Sequence, residues 1–190
     1  MYILIADFFA QFGNFSDWEL SQIVCKIQET ELKAGEYFQK TGSKNWRISY
    51  LLDGVLGVLT TNDDGNRCLR HLITEKHFFT DLGCQLTTQG SAYAFKALCP
   101  CRVSSISLCD ARQLITDIPA LQQAYTFTRE ESLLYLIHQQ DLLRQGSPSK
   151  QYLRLLVHHP EIFRQLPMKY IADYLGITQR SLSRIRKSCH

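Results

Sequence analysis

The hydrophobic pattern of this 190-residue chain changes its period twice, at Gly35 and again after Pro119. Over residues 3–32 the apolar residues recur at helical spacing. Between residues 35 and 108 they form short runs separated by turn residues, a pattern typical of antiparallel strands. After Pro119 the helical spacing returns. The sequence therefore predicts an α+β fold in which a sheet, rolled into a small barrel or sandwich, lies between helical segments.

Local capping and turn signals support this division. Ser16, followed three positions later by Glu19, forms a capping box that predicts the start of a helix. Two Asp-Gly dipeptides, at residues 53–54 and 64–65, predict hairpin turns inside the sheet because each is flanked by apolar or alternating residues.

A long helix is predicted after Pro119, since no Gly or Pro occurs until Gly146. Leu133 to Ile137 are five consecutive apolar residues, so every side of this helix needs some burial. A second copy of the same helix in a homodimer would provide it; the alternative is a helix enclosed within one chain. One candidate dimer seam repeats every seven residues: Leu121, Thr128, Tyr135 and Leu142.

The stretch GSPSK at residues 146–150 marks a boundary, with Ser147 as a plausible cap before Pro148. The following residues, QYLRLLVHHPEIFRQ, are expected to form one amphipathic helix. The sequence thus predicts three segments: a roll with N-terminal helices at 1–118, a dimerisation helix at 119–145, and a helix-turn-helix segment at 146–190.

The last segment contains two short amphipathic helices separated by a glycine. Pro167 opens the first, and Gly176 ends it with a residue that tolerates positive φ. Thr178 caps the second, in which Leu182 and Ile185 face back toward the first helix. This spacing of small residue, glycine and aliphatic residues is typical of a helix-turn-helix.

The outward face of the second helix carries residue types that suit nucleic acid. Residues 141–190 contain nine Lys and Arg against three Asp and Glu, whereas residues 1–140 contain 12 against 15. Arg and Gln can read base edges in the major groove, and Ser, Thr and Lys can hold phosphate oxygens. The predicted DNA-binding residues are Thr178, Gln179, Arg180, Ser181, Ser183, Arg184 and Lys187.

IADYLGITQRSLSRIRK resembles the DNA-reading segment of the Crp/Fnr family of bacterial transcription regulators, in the short form common among Bacteroidetes. YLLDGVLGVLTTNDDGNRCLRHLITEKHFFTDL is similar to that family's cyclic-nucleotide-binding roll. The resemblance implies a double-stranded β-helix of jelly-roll type, a dimerisation helix and a winged-helix-like DNA-binding segment. It places Gln179, Arg180 and Arg184 at base edges and the other predicted residues near the backbone. Its implied partners are double-stranded DNA, a second copy of the chain, RNA polymerase and a small-molecule effector.

Family members that bind a cyclic nucleotide use a Gly-Glu pair for the ribose and, about ten residues later, an Arg for the phosphate. Here Thr80 and Asp81 stand at the pair, and Ser91 and Ala92 lie where the arginine belongs. A buried phosphate without a cation is costly. We therefore predict no cofactor and no cyclic AMP binding in the usual way. The candidate effector pocket comprises Phe79, Thr80, Asp81, Leu82, Ser91, Ala92 and Tyr93.

Other chemistries remain as alternatives. Seven cysteines at scattered positions fit reduced thiols, and a thiol-based sensor using Cys99 and Cys101 is one alternative. A binding module for a partner protein is another, as is an apolar effector held by the pocket region together with Cys84. No catalytic motif or metal-ligand spacing is present, so an enzyme is not expected. Without a signal peptide or membrane-span pattern, we expect a soluble, cytoplasmic protein.

Overall fold

The computed structural model describes residues 8–61, 65, 67–81, 83, 89–144 and 146–188, with only the backbone described at residues 142–144. It has the α+β fold that the sequence predicts. The strands are β1 (Gln28–Leu32), β2 (Tyr37–Gln39), β3 (Arg47–Asp53), β4 (Val55–Thr61), β5 (Arg67–Thr74), β6 (Phe78–Thr80), β7 (Ala94–Ala97) and β8 (Cys101–Ser107). The helices are α1 (Asp17–Lys26), α2 (Leu108–Asp117), α3 (Leu121–Arg144), α4 (Pro148–His158), α5 (Pro160–Gln165), α6 (Met168–Tyr174) and α7 (Gln179–Ser188).

The strands form two four-stranded antiparallel sheets, with the orders β1-β8-β3-β6 and β2-β7-β4-β5. Alternate residues of each strand point between the sheets, as the pleat requires. Leu51, Leu56 and Val103 are among the fully buried side chains that fill this interior. The two sheets thus form the predicted roll.

The N-terminal region is less helical than the sequence analysis expects. The capping box is present: the Ser16 hydroxyl accepts from the Glu19 N–H at 3.3 Å, and Glu19 accepts from the Ser16 N–H at 2.7 Å. However, β1 begins at Gln28, so the expectation of helices up to residue 32 is wrong. Pairing of β1 with β8, together with burial of Leu32 in the core, decides the conformation there.

The predicted hairpin at residues 53–54 is confirmed between β3 and β4. Gly54 has a φ of +92°, and a Cβ placed on it would lie 2.4 Å from the carbonyl oxygen of Pro100. Only glycine fits there without a shift of the backbone. In the second hairpin, β4 pairs antiparallel with β5 and Gly65 has a φ of +79°, whereas Asp64 lies outside the described residues.

The long predicted helix is α3, but the proposed seven-residue seam is wrong. Leu121, Thr128 and Tyr135 are all buried by other elements of the same chain, and the side chain of Leu142 lies outside the described set. α3 packs across β6 and β5 of the roll, so the face containing these residues is occupied within the chain. Among the side chains of α3 that the structure describes, the large apolar ones left exposed are Phe127, Leu133, Leu134 and Ile137.

The helix expected over residues 151–165 is two helices instead of one. α4 ends at His158, and α5 begins at Pro160. Proline has no N–H and its ring clashes with the carbonyl four residues earlier, so it cannot continue α4. His159 between them has φ −136° and ψ 58°, outside the helical region.

The roll and the C-terminal helices share one hydrophobic core. Leu72 and Phe95 from the roll belong to the same buried cluster as Leu155, Ile171 and Leu182 from the helices. α6 packs against β5 of the roll, and α7 packs against α6 and α4. None of the helices in the described part of the chain combines the length and apolarity needed to cross a bilayer.

Candidate nucleic-acid interface

Helices α6 and α7 form the predicted helix-turn-helix. Ile171 and Ala172 of α6 are buried, and the chain leaves the helix through Gly176 at φ +66°. The Gly176 N–H donates to the Asp173 carbonyl at 3.2 Å, and the Ile177 N–H donates to the Ala172 carbonyl at 3.0 Å. These bonds satisfy helix-end carbonyls and direct the chain sharply into α7.

Thr178 caps α7. Its Oγ1 accepts from the Ser181 N–H at 3.1 Å and lies 3.0 Å from the Ser181 hydroxyl. Leu182 is fully buried and Ile185 half-buried, so this side of α7 faces the core as predicted. The hydroxyls of Thr178 and Ser181 therefore serve the local cap, which positions the start of the helix.

The opposite side of α7 is exposed to solvent and is strongly polar. Within the described residues, neither Arg180 nor Arg184 lies within ion-pair distance of a carboxylate. The basic residues of the last turn also complement the negative end of the helix dipole. The exposed residues of the predicted set are Thr178, Gln179, Arg180, Ser183, Arg184 and Lys187.

The residues of the candidate effector pocket lie in different environments. Phe79 is buried between the rings of Phe38 and Phe95, with centroid distances of 5.6 and 5.4 Å. Ala92 and Tyr93 are exposed. Leu82, like Cys84, lies outside the described residues. The remaining three residues of this set are Thr80, Asp81 and Ser91. They lie in the region where members of the family would hold a phosphate.

Hydrogen bonds hold the side chains of Thr80, Asp81 and Ser91 within the roll itself. The Thr80 hydroxyl donates to the Arg47 carbonyl at 2.9 Å, and the buried Ser91 hydroxyl donates to the Asp81 carboxylate. Asp81 also accepts from Gln39 at 3.4 Å. The void that Thr80 and Asp81 help to line is only about 10 Å³, enough for about one water.

Two cations lie near this region, and both have partners in the roll. The Arg47 guanidinium, which borders the small void, donates to the Ser105 hydroxyl and to the Gln28 side chain, each at 2.9 Å. The Lys96 ammonium lies over the Tyr37 ring, 5.5 Å from its centroid. A phosphate would have to displace these contacts.

A buried polar network, which the sequence did not predict, begins at the roll. Tyr135 of α3 donates its hydroxyl hydrogen to the Leu72 carbonyl at 3.0 Å and accepts from the Thr74 N–H at 3.2 Å. Its ring lies against His77, with the centroids 4.0 Å apart. Burial raises the pKa of Tyr135 and keeps the phenol neutral. Tyr135 therefore ties α3 to β5.

The network continues from α3 to the helix-turn-helix. One turn beyond Tyr135, the fully buried Gln139 places its amide nitrogen 3.1 Å from Nε2 of His159, and its oxygen accepts from the Tyr174 hydroxyl. Nδ1 of His159 lies 3.1 Å from the Glu161 carboxylate. Burial lowers the pKa of His159 and raises that of Tyr174. Only the four-residue spacing of Tyr135 and Gln139 hinted at this network in the sequence.

The thiols considered as sensors are buried. Cys99 accepts from the Val55 N–H at 3.2 Å, and the Cys101 thiol lies 3.4 Å from the Val55 carbonyl. Hydrogen bonding to Cys101 holds the pKa of Cys99 at about 7, and the same contact together with burial raises the pKa of Cys101. Their burial restricts access by an oxidant. No cluster of metal-ligating side chains occurs among the residues that the structure describes.

Solved structures with a similar fold are bacterial regulators. CLP, the c-di-GMP responsive global regulator of Xanthomonas campestris, superposes with a TM-score of 0.65 at 14% identity, covering 92% of this chain and 91% of CLP. FixK2 of Bradyrhizobium japonicum gives 0.64 at 16% identity, covering 86% and 84%. The Thermus thermophilus catabolite activator protein gives 0.52 at 15% identity, covering 93% and 84%.

At such identities the likeness shows the fold. The chain has the Crp/Fnr-type fold that its sequence predicts, with a cyclic-nucleotide-binding-like roll followed by a helical C-terminal part. No protein-family model matches the sequence, and no curated protein matches it significantly.

Proposed function

We propose that this chain is a sequence-specific DNA-binding transcription regulator of Crp/Fnr type that acts in the cytoplasm. The observation that carries the proposal is the exposed basic face of α7, held on a glycine-turned helix pair. Arg180 and Arg184 lie on that face with no carboxylate partner in the described residues, so both are available for base edges or phosphates. The Crp/Fnr-type fold supports the same assignment, and we propose no catalytic role for the chain.

The regulator is proposed to work as a homodimer through α3, in the segment 119–145. The exposed apolar side chains of this helix need a partner, and a second copy would supply the same surface. A two-fold dimer would place two copies of α7 about 34 Å apart, matching successive major grooves on one side of a pseudo-palindromic site. The residues proposed to form this contact are Phe127, Leu133, Leu134 and Ile137.

The DNA-binding role is tested by selecting binding sites from a random duplex pool. With a selected site in hand, Arg180→Ala and Arg184→Ala should each weaken binding by about 1–3 kcal/mol and relax the preference at one base position in each half-site. Arg186→Ala is the matched control, because Arg186 is exposed on the same helix but lies toward its buried flank. Unchanged base preference in both test variants would refute the assigned face.

For the effector, we propose that the roll does not bind cyclic AMP in the usual way. The Ser91 hydroxyl donates a hydrogen bond to the Asp81 carboxylate, and the void beside Asp81 is only about 10 Å³. A nucleotide phosphate would need the roll to open and would have to displace the contacts that Arg47 and Lys96 already make. CLP, with a similar fold, is c-di-GMP responsive, which indicates that the fold is not restricted to one signal.

Isothermal titration with cyclic AMP tests this second proposal. We expect no saturable heat at millimolar nucleotide. Micromolar binding would contradict the proposal, and loss of that binding in Arg47→Gln or Lys96→Gln would identify which cation replaces the missing arginine. Arg112→Gln, an exposed position on α2, is a suitable control for the change of charge.

A further inference from the structure

A cavity of about 280 Å³ lies outside the roll. It is bounded by the outer face of the sheet β1-β8-β3-β6 on one side and by α1, α2 and α3 on the other. Six of the side chains that line it are Ile23, Ile48, Ile106, Leu114, Leu121 and Ala124. The space is partly open to solvent, with the exposed residues Glu29 and Arg102 at its edge. It approaches the volume of a small-molecule site.

The polar groups of the cavity are mostly uncharged. Ser104 and Thr128 contribute hydroxyl-bearing side chains to the lining, and Tyr50 contributes a phenol, whose pKa is raised by burial so that it stays neutral. Among the described residues that line it, the charged ones are Glu29 and Arg102, which have opposite signs and are both exposed. Since an ion in the apolar interior would lack a buried counter-charge, the lining disfavours charged ligands.

We propose that this cavity binds an uncharged, largely apolar small molecule with at most one or two hydrogen-bonding groups. The ligand would gain by removing apolar surface from water, and the hydroxyls of the lining would orient its polar end. The volume of about 280 Å³ lies just below the range of about 300–1,000 Å³ that is typical of small-molecule pockets, so the space accepts a compact molecule.

The cavity is connected to the exposed face of α3 by a group of phenylalanines. Phe8 lines the cavity and lies 5.1 Å from Phe78, another lining residue. Phe12, 5.2 Å from Phe8, lies 5.3 Å from Phe127. A ligand that moves Phe8 therefore changes the surroundings of Phe127. The inference that this change would alter a dimer rests on the proposed function. The inference that a ligand binds in the cavity does not.

Binding is tested on the full chain with N-phenyl-1-naphthylamine, an uncharged fluorescent probe, and with n-alcohols as competitors. We expect saturable probe fluorescence and displacement that strengthens roughly fourfold for each methylene from hexanol upward, until the cavity is full near decanol. Decanoate, which has the same chain length as decanol but carries a charge, should compete at least tenfold less well.

Filling the cavity supplies the decisive variants. Ala124→Phe on α3 and Ala111→Phe on α2 place a ring in the space and should each weaken probe binding at least tenfold. The two substitutions lie on different helices. If thermal unfolding shows that one variant does not fold, the other variant still tests the proposal. Ala34→Phe makes the same change at an exposed position outside the lining and should bind the probe as the wild type does.

Two results would overturn the proposal: no saturable probe binding by the wild-type chain, or equal binding by the wild type and both folded filling variants. Preference for decanoate over decanol would overturn the assigned ligand class. None of these measurements contains DNA, so failure here is distinguishable from failure of the DNA selection that tests the proposed function.

Discussion

The buried side of α3 contains several polar residues, and its exposed side contains a group of large apolar ones. Four of its buried positions are occupied by Thr128, Ser132, Tyr135 and Gln139. On the outward face, Phe127, Leu133, Leu134 and Ile137 are 41%, 48%, 55% and 45% exposed. An ordinary surface helix has the reverse arrangement.

The difference indicates that the two faces do different work. Buried polar groups are tolerated when each has a partner, and Tyr135 and Gln139 have partners in the roll and in the helix-turn-helix. The inner face therefore joins two parts of one chain through directional bonds. On the outer side, the exposed apolar group adjoins polar residues such as Arg129 and Glu130, and its apolar area fits contact with a second copy.

Introducing a charge on the outer face should have the largest effect. Leu134→Asp removes apolar contact and would place a carboxylate in the proposed dimer interface, so we expect dimerisation to weaken about a hundredfold or more, on the order of 3 kcal/mol. Sedimentation equilibrium measures it. Gln122→Asp introduces the same charge on the exposed first turn of α3 and should leave the dimer intact. An unaffected dimer in Leu134→Asp would place the interface elsewhere.

Breaking the buried polar network of Tyr135, Gln139, His159 and Tyr174 should have a smaller effect in free energy than breaking the proposed dimer contact. Gln139→Leu leaves the Tyr174 hydroxyl and one His159 nitrogen without their partner, so we expect a loss of about 1–3 kcal/mol in the free energy of unfolding. Urea denaturation measures it, with Gln140→Leu as the exposed neighbouring control. Adding Tyr174→Phe to Gln139→Leu should cost less than Tyr174→Phe alone costs. Simple additivity would show that these groups are not coupled.

The smallest effect expected is a pH dependence of the same network. Burial lowers the pKa of His159 and of His71 below the ordinary 6.5, so the folded state favours their neutral forms. Stability is therefore fully present above pH 6.5 and declines as pH falls below it, until the folded protein is protonated too. Burial raises the pKa of Glu131 above its ordinary 4.5, which gives the opposite slope near that lower pH.

Urea denaturation between pH 5 and 8 resolves the contribution of one histidine. His159→Gln should flatten the decline below pH 6.5, while His158→Gln, which changes the exposed neighbouring imidazole, should leave it unchanged. Equal profiles for wild type and His159→Gln would mean that this histidine does not couple protonation to folding.

The helix-turn-helix was predictable because its determinants are local. Gly176, Thr178 and Leu182 lie within seven residues, and each has the conformation or burial that its residue type favours. The break at Pro160 is also a local signal, which the helical spacing around it obscured. β1 was missed because its conformation depends on pairing with β8, about 70 to 80 residues further along the chain.

The sequence by itself determined the order of helices, roll and helix-turn-helix, and the polar character of the outward face of α7, because periodicity and capping act between near neighbours. Only the tertiary structure decided which face of α3 is occupied, since burial depends on what packs against it. It also decided that Gln139 meets His159 and Tyr174, and that a space of about 280 Å³ lies between the outer face of the roll and three helices. Such contacts and cavities are set by the packing of distant segments, which spacing along the chain does not encode.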